Sequence, residues 1–419
     1  MKNKCVKSIG AVVLTVLMGW GMTGCTSDGP YVLSKTDISV AQPEGGFVVS
    51  QDQLLRIDVQ SLSDENIAYE WFLNGESISH EKNLSFMCTR GGGHTLKLKV
   101  TQGTVSYEYD FSLTVTFTPM PDLPEGSSPY ITQVFDFCPA PGQFTNEMPQ
   151  YEEGDTQETM NKKVLEAIGH NNNGMISLGA YGGYVVVGFD HTIQNVEGEK
   201  DFKVLGNAFY ANSNPRPDAP LGGSCEPGIV LVAYDGNRNG KPDEDEWYEL
   251  AGSEYHKEST IKGYEITYRR NAPDHQAVPD EEVSWNVDTK NCAWTDNQEG
   301  KGYVYKNMFH QQDYFPRWID KDELTFKGTL LPKNGVDESG EGTYWVLYAF
   351  DWGYVDNRPN NEEGSNFDIG WAVDANGQKV NLPGVDFIKI YTGVNQYCGW
   401  LGEESTEVAG VIDLHLTKK

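Results

Sequence analysis

The sequence has few basic residues for its 419-residue length, and none of its apolar runs reaches the roughly 20 residues of a membrane-spanning helix. Lysine and arginine number 32 against 61 aspartates and glutamates, which gives a formal net charge of −29. A field of that sign repels nucleic acid and anionic lipid, so we expect neither as a partner. The acidic excess is typical of an exported protein with a solvated surface, and a cation-binding surface is the alternative.

Cysteine is also scarce, and no two cysteines stand at the short spacing of a disulfide framework or a zinc site. Long-range bridges and buried free thiols remain open for the five in the body of the chain. These are Cys88, Cys138, Cys225, Cys292 and Cys398. The eight histidines form no HxxxH or HExxH pair, and neither GxSxG nor a phosphate-cradling GK[ST] loop occurs. The sequence therefore offers no catalytic motif.

Residues 1–24 have the layout of a cleaved export signal. Three lysines precede an apolar core from Ala11 to Trp20, and the segment ends in Met22-Thr23-Gly24-Cys25. It resembles bacterial lipoprotein signals, in which Cys25 becomes the lipidated first residue of the mature protein. The resemblance implies an outer-membrane lipoprotein, exposed at the cell surface and held by acyl chains alone, with residues 25–30 as a tether. An ordinary secretory cleavage is the alternative.

Residues 31–118 are predicted to form a small β-sandwich, because short segments alternate apolar and polar residues between turn signals. Asn74-Gly75 suits a type I′ hairpin turn, in which both central residues need a positive φ. Together with Tyr69 and Trp71, this turn resembles the PKD-like and immunoglobulin-like modules of bacterial surface proteins. We expect this domain to act as a spacer, and ligand binding is the alternative.

Residues 119–129 are rich in proline and are predicted to be a stiff linker. Residues 130–419 follow as one large domain. Its helix is predicted over Asp155 to Ile168, with Asp155 and Glu158 as a capping box and Gly169 as the stop. The remaining apolar runs are strand-like, so we predict an all-β chain whose second domain is an antiparallel sandwich or jelly roll.

A twelve-residue loop from Asp235 to Glu246 has the spacing of a calcium-binding loop. Oxygen-bearing side chains stand at positions 1, 3, 5, 9 and 12, and a glycine stands at position 6. The predicted ligands of a structural Ca²⁺ are Asp235, Asn237, Asn239, Asp243 and Glu246 with the carbonyl of Lys241. An Asx-rich turn without a metal is the alternative.

A second region, from Phe350 to Glu403, combines aromatic and acidic residues. Flat rings can stack on a sugar or a planar macrocycle, and carboxylates can accept its hydrogen bonds. The candidate ligand-binding residues are Asp351, Trp352, Tyr354, Asp356, Trp371, Tyr397 and Trp400. Two alternatives are open: the rings belong to a packed core, or Asp351, Asp356 and Asp368 hold a second structural cation.

From about Ser128 to the C-terminus, the sequence resembles a family of exported Bacteroidetes lipoproteins described as cell-surface or PKD-like-domain proteins. The residues that carry the resemblance are Pro139–Gln143, Ile176–Gly179, Gly182–His191, Asp201–Phe209, Glu226–Val230, Glu246–Tyr255 and Asp386–Thr392. It implies a surface lipoprotein associated with outer-membrane uptake systems, including those for corrinoids, and hence a TonB-dependent transporter as partner. It implies no catalytic residues.

These observations favour a non-catalytic surface protein that captures a corrinoid or a glycan. Because carboxylates are abundant, a glycan-degrading hydrolase with a carboxylate pair is the competing hypothesis. A structural or adhesion protein without a small ligand is the third.

Overall fold

The computed structural model describes residues 31–50, 53–63, 65–88, 92–116, 122–172, 174–211, 220–236, 238–375, 377 and 379–417. The predicted signal peptide and Cys25 lie outside these residues. Within them, no helix is both long and apolar enough to cross a membrane.

The described part of residues 31–116 contains nine strands and a three-residue 3₁₀ turn. The strands are β1 (Ile38–Val40), β2 (Phe47–Ser50), β3 (Leu54–Ile57), β4 (Val59–Ser61), β5 (Ala68–Leu73), β6 (Glu76–Ser79), β7 (Leu84–Met87), β8 (Gly92–Gln102) and β9 (Val105–Thr116). Five of them form a sheet in the order β2-β9-β8-β5-β6, and β1-β4 and β3-β7 form two further pairs. A core packs between them around Trp71, which is fully buried.

The Asn74-Gly75 turn joins β5 to β6, as the sequence predicts. Asn74 has a φ of 53° and Gly75 a φ of 90°, the left-handed values that a type I′ turn requires. The Asn74 side chain also accepts the backbone N–H of Thr95 at 3.0 Å. The turn is therefore fixed to β8 as well.

The remaining elements are almost all strands. In chain order they are β10 (Gln133–Cys138), α1 (Gln157–Ile168), β11 (Ile176–Ser177), β12 (Tyr184–Gln194), β13 (Phe202–Leu205), β14 (Phe209–Tyr210), β15 (Gly222–Ser224), β16 (Gly228–Ala233), β17 (Trp247–Leu250), β18 (Ile261–Arg269), β19 (Asn286–Asp288), β20 (Ala293–Asp296), β21 (Lys301–Tyr303), β22 (Lys306–Asn307), β23 (Glu323–Leu330), β24 (Gly335–Asp337), β25 (Trp345–Tyr348), β26 (Asn366–Phe367), β27 (Ala372–Val373), β28 (Gly384–Thr392), β29 (Glu407–Val408), β30 (Gly410–Asp413) and α2 (Leu414–Thr417). The prediction of an all-β chain is confirmed.

A six-stranded antiparallel sheet, β10-β12-β28-β16-β17-β27, lies at the centre of this part of the chain. Val185 in β12 and its partner Ile390 in β28 pack into a core that α1 and the sheet β26-β13-β30 also contact. The next pair, Tyr184 and Tyr391, faces a second core shared with the sheet β21-β20-β18-β23. Both faces of the central sheet are therefore covered, and its strands read as nearly continuous apolar runs.

The helix begins later than its sequence signal indicates. Thr156, rather than Asp155, is the N-cap, and its hydroxyl accepts the backbone N–H of Thr159 at 3.3 Å. Asp155 instead forms an ion pair with Lys163 at 2.7 Å. Asp155 and Thr156 are both residue types that cap helices well, and in the structure the Asp155 carboxylate is engaged with Lys163 and with the N–H of Glu152. Gly169 ends the helix as predicted.

Candidate functional site

Three carboxylates that are far apart in the sequence meet inside the second part of the chain. Glu226 precedes β16, Asp356 follows β25, and Glu407 begins β29. One side-chain oxygen of each lies within 4.8 Å of the other two. Asp356 and Glu407 are buried, and Glu226 is half-buried.

Asp356 positions this group through the backbone. Its Oδ1 accepts the N–H groups of Asn207 and Ala208, both at 2.7 Å, and its Oδ2 accepts the N–H of Glu407 at 3.1 Å. The N–H of Glu226 in turn donates to the carbonyl of Asp356 at 2.8 Å. One aspartate therefore ties together the segments that carry the other two carboxylates.

Ser405 holds the remaining two carboxylates in place. Its backbone N–H donates to Glu226 Oε1 at 3.1 Å, and its hydroxyl donates to Glu407 Oε1 at 2.7 Å. Glu226 Oε2 also accepts the hydroxyl of Ser224 at 3.2 Å. Hydrogen bonds thus fix both side chains.

Two further buried carboxylates line the same cavity as Glu226 and Glu407. Glu403 is 6% exposed, and its Oε1 accepts the N–H of Gln143 at 2.6 Å. Glu404 is 1% exposed, and its Oε1 accepts the thiol of Cys398 at 3.3 Å. Among the described residues, the Oε2 atoms of both glutamates have no hydrogen-bond partner.

Burial makes it costly to charge these groups. It raises the pKa of Asp356 and of Glu403 to about 7. It raises the pKa of Glu404 and of Glu407 to about 8, and for Glu407 the charge of Asp356 adds to the effect. The pKa of Glu226 is likewise raised, by burial first and then by the charges of Glu407 and Asp356. Carboxyl groups in this setting need protons or a cation as partners.

The cavity above this acidic floor has a volume of about 390 Å³. Aromatic side chains form its rim: Phe144, Phe309, His310 and Trp400 line it, and Trp400 is 43% exposed. The rings of Phe144 and His310 pack edge to face with centroids 4.6 Å apart. The volume falls within the range of about 300–1,000 Å³ that is usual for small-molecule sites, and the mix of flat rings and a few buried polar groups is also typical of them.

The structure divides the predicted ligand-binding residues among separate places. Trp400 lies on the rim of the acidic cavity, and Tyr397, close in sequence, packs against Tyr305 with ring centroids 4.5 Å apart. Trp352 and Trp371 form a second aromatic patch, with ring centroids 4.6 Å apart. The predicted residues therefore do not form one site.

The positions of Tyr354 and of three aspartates bear on the two alternatives from the sequence, a packed core and a second structural cation. Tyr354 is 2% exposed and its hydroxyl accepts the N–H of Glu254 at 2.9 Å, so burial favours a core role. Asp351 is exposed, and Asp368 caps a 3₁₀ turn by accepting the N–H of Gly370 at 2.8 Å. Asp356 does lie among carboxylates, but its neighbours are Glu226 and Glu407 rather than the other two aspartates.

In the predicted calcium loop, two backbone N–H groups donate hydrogen bonds to the carboxylate of Asp235. Asn239 and Gly240 donate to it at 3.0 and 2.7 Å, and Gly240 has a φ of 72°. Asn239 also donates from its side chain to Asp243 at 2.9 Å. This is the hydrogen bonding of an Asx-rich turn, which folds the loop with or without a metal.

The rest of that loop is also tightly folded. The N–H of Lys241 donates to the side chain of Asn239 at 2.7 Å, and Glu246 is buried and accepts the N–H of Asp243 at 3.2 Å. Asn237 lies outside the described residues. Calcium binding at this loop stays a prediction.

The five cysteines of the body are free thiols. Of the two alternatives that the sequence leaves open, the structure therefore selects unpaired thiols. Burial is the main reason that the pKa of Cys88, of Cys138 and of Cys225 is raised to about 12.

Sequence reasoning did not identify Glu226, Glu403, Glu404 or Glu407 as site residues. A signal was present: residues 403–407 carry three carboxylates and are followed directly by the apolar run Val408-Ala-Gly-Val-Ile412. Carboxylates next to a segment that must be buried need partners, so such a run marks a candidate polar site.

No protein-family profile matches the sequence, and no curated protein is significantly similar to it. Among solved structures, the chain is similar to a SusE-like protein (11% identity, TM-score 0.24, covering 90% of this chain and 97% of that one). It is also similar to SGBP-B of the Bacteroides ovatus mixed-linkage glucan utilization locus, solved in complex with a mixed-linkage heptasaccharide. The identity is 11% and the TM-score 0.18, and the match covers 91% of this chain and 99% of that one. A third likeness is to fibronectin(III)-like modules of Clostridium thermocellum CbhA, with 16% identity and a TM-score of 0.18. That match covers 20% of this chain and 99% of the other. TM-scores this low do not establish a shared fold, so function is argued from the site.

Proposed function

We propose that this protein is a non-catalytic, lipid-anchored surface protein that captures a glycan in the acidic cavity below Trp400. The observation that carries the proposal is the combination of exposed aromatic rings at the rim with buried carboxylates at the floor. A sugar ring has an apolar face that stacks on aromatic side chains and hydroxyl groups that donate to carboxylates. Glu226, Glu403, Glu404 and Glu407 line this cavity and supply its polar groups.

The size of the cavity favours a short saccharide over a corrinoid. At about 390 Å³ it is near the lower end of the range for small-molecule sites. A corrin macrocycle with its nucleotide arm is a large ligand and needs a wider opening. The corrinoid alternative therefore depends on the second aromatic patch, Trp352 with Trp371, where the ammonium of Lys200 lies 4.2 Å from the centre of the Trp371 ring.

Residues 31–118 are proposed as the spacer that lifts the cavity away from the membrane. Delivery of the captured glycan to a TonB-dependent outer-membrane transporter completes the proposed role. Both follow from the lipoprotein signal and the modular sequence rather than from the cavity.

The raised pKa values of Glu403 and Glu404 are the observation that favours the second candidate, a glycan hydrolase. A carboxyl group that keeps its proton near neutral pH can act as a general acid. Such an enzyme also needs a second carboxylate roughly 5 to 10 Å away across the bound sugar. The binding role is preferred because all three central carboxylates already accept hydrogen bonds: Glu226 from the N–H of Ser405, Asp356 from the N–H of Glu407, and Glu407 from the Ser405 hydroxyl.

The test is a binding screen of the protein lacking residues 1–25 against plant and host oligosaccharides, with cyanocobalamin alongside. The proposal expects at least one oligosaccharide to be bound and recovered intact. Product release from that oligosaccharide would establish the hydrolase. Binding of cyanocobalamin without any glycan would replace the proposed ligand with a corrinoid.

A further inference from the structure

The three central carboxylates are spaced to share one metal ion. Calcium takes six to eight oxygen ligands at about 2.3–2.6 Å, so two oxygens on opposite sides of the ion are up to about 5 Å apart. One oxygen each of Glu226, Asp356 and Glu407 falls within 4.8 Å of the others. Three carboxylates this close in a buried site repel one another unless protons or a cation lie between them.

A second observation is independent of that spacing. Glu403 and Glu404 are more than nine-tenths buried and line the same cavity as Glu226 and Glu407. One oxygen of each is already hydrogen-bonded, to Gln143 and to Cys398, whereas the Oε2 atom of each has no partner among the described residues. A buried carboxylate oxygen without a hydrogen-bond partner costs free energy. The region around these glutamates and the three central carboxylates therefore needs a partner such as a cation or protons.

We propose that Glu226, Asp356 and Glu407 bind a structural calcium ion at the edge of the cavity that Glu403 and Glu404 also line. This site is separate from the predicted loop at residues 235–246. The carboxylate oxygens are hard ligands, which calcium and magnesium prefer and which soft metals do not. Calcium is favoured over magnesium because it tolerates a high ligand number and irregular geometry.

Such an ion fixes the floor of the glycan cavity. Residues 403–407 carry three of the five carboxylates and also line the cavity below Trp400. Neutralising their charges with a cation would hold this segment in the shape that the hydrogen bonds of Ser405 already define. The metal is therefore structural, and it acts on the ligand site only through the position of its floor.

The experiment measures bound calcium per chain by elemental analysis after equilibrium dialysis, together with the shift in melting temperature on adding Ca²⁺ to chelator-treated protein. The variants are Glu407→Gln and Glu226→Gln at the cluster. Asp235→Asn combined with Asp243→Asn removes the predicted loop site. Asp351→Asn is the matched control, because it removes one negative charge at an exposed position outside the cluster. Magnesium replaces calcium in a parallel series.

The proposal expects each cluster variant to lose one bound calcium per chain and most of the calcium-induced rise in melting temperature. The loop variant and Asp351→Asn keep the cluster ion. Without metal, Glu407→Gln should melt no lower than the parent protein, because the amide oxygen can still accept the Ser405 hydroxyl and the amide is neutral at every pH. This result would show that the variant folds. Unchanged calcium content in both cluster variants, or no calcium bound by the parent protein, would overturn the proposal. Neither outcome depends on a glycan, so it leaves the proposed function to its own test.

Discussion

Asp356 accepts the backbone N–H of Glu407 at 3.1 Å, so one buried carboxylate positions the strand that carries another. The same aspartate accepts two N–H groups from the segment 207–208. Residues from three distant parts of the sequence are thereby fixed around one side chain. The acidic cavity depends on this arrangement.

Replacing that aspartate should destabilise the protein. Asp356→Ala leaves three backbone donors without their acceptor, and we expect a loss of about 3 kcal/mol or more in the free energy of unfolding. Urea denaturation in the presence of a chelator measures the free energy of unfolding of parent and variant without bound metal. The difference then reports the lost hydrogen bonds. Asp351→Ala is the control and should stay within about 0.5 kcal/mol of the parent. Equal stability of the two variants would show that Asp356 does not organise the site.

The pH dependence of stability should carry a contribution from Lys262. Burial lowers its pKa to about 8, although Glu249 opposes the shift. In the unfolded chain lysine titrates near pH 10.4. Between about pH 8 and 10.4 the unfolded state therefore binds more protons, and the free energy of unfolding gains from Lys262 as the pH rises.

The measurement compares the parent protein with Lys262→Met at several pH values from 8 to 10. The stability of the parent relative to the variant should increase across this window. If the difference stays constant or shrinks, the ammonium is not desolvated in the folded protein.

The five thiols of the body should be unreactive while the protein is folded. Cys225, Cys292 and Cys398 are buried, and burial raises their pKa values, so little thiolate is present at neutral pH. A disulfide reagent at pH 8 should label the native protein lacking residues 1–25 slowly and should count five thiols after that protein is unfolded in denaturant. Rapid labelling of native protein, or fewer than five thiols after unfolding, would contradict the free, buried state.

Local features were predictable because their causes are local. The Asn74-Gly75 turn depends on two residues that accept a positive φ, and the helix depends on Met160, Val164 and Ile168, which are all buried. The helix start was misassigned by one residue because Asp155 and Thr156 are both suitable caps.

The acidic cluster could not be predicted in the same way. Glu226 lies just before β16 of the central sheet and Glu407 lies in β29, which pairs with β11 in another sheet. No spacing rule in the sequence links either residue to Asp356. Trp352 and Trp400 look equivalent in the sequence, yet the fold places only Trp400 on the acidic cavity. Tertiary packing decides which aromatic residues share a site, and the periodicity of the sequence does not predict that packing.

The most direct test of the account is a comparison of oligosaccharide binding by the parent protein, Trp400→Ala and Trp352→Ala. Both tryptophans are exposed, so neither variant should unfold. We predict that Trp400→Ala weakens binding roughly two- to tenfold, because stacking of this kind contributes about 0.5–1.5 kcal/mol, and that Trp352→Ala binds as the parent does. Unchanged binding in Trp400→Ala, or a loss only in Trp352→Ala, would contradict the assignment of the cavity as the ligand site.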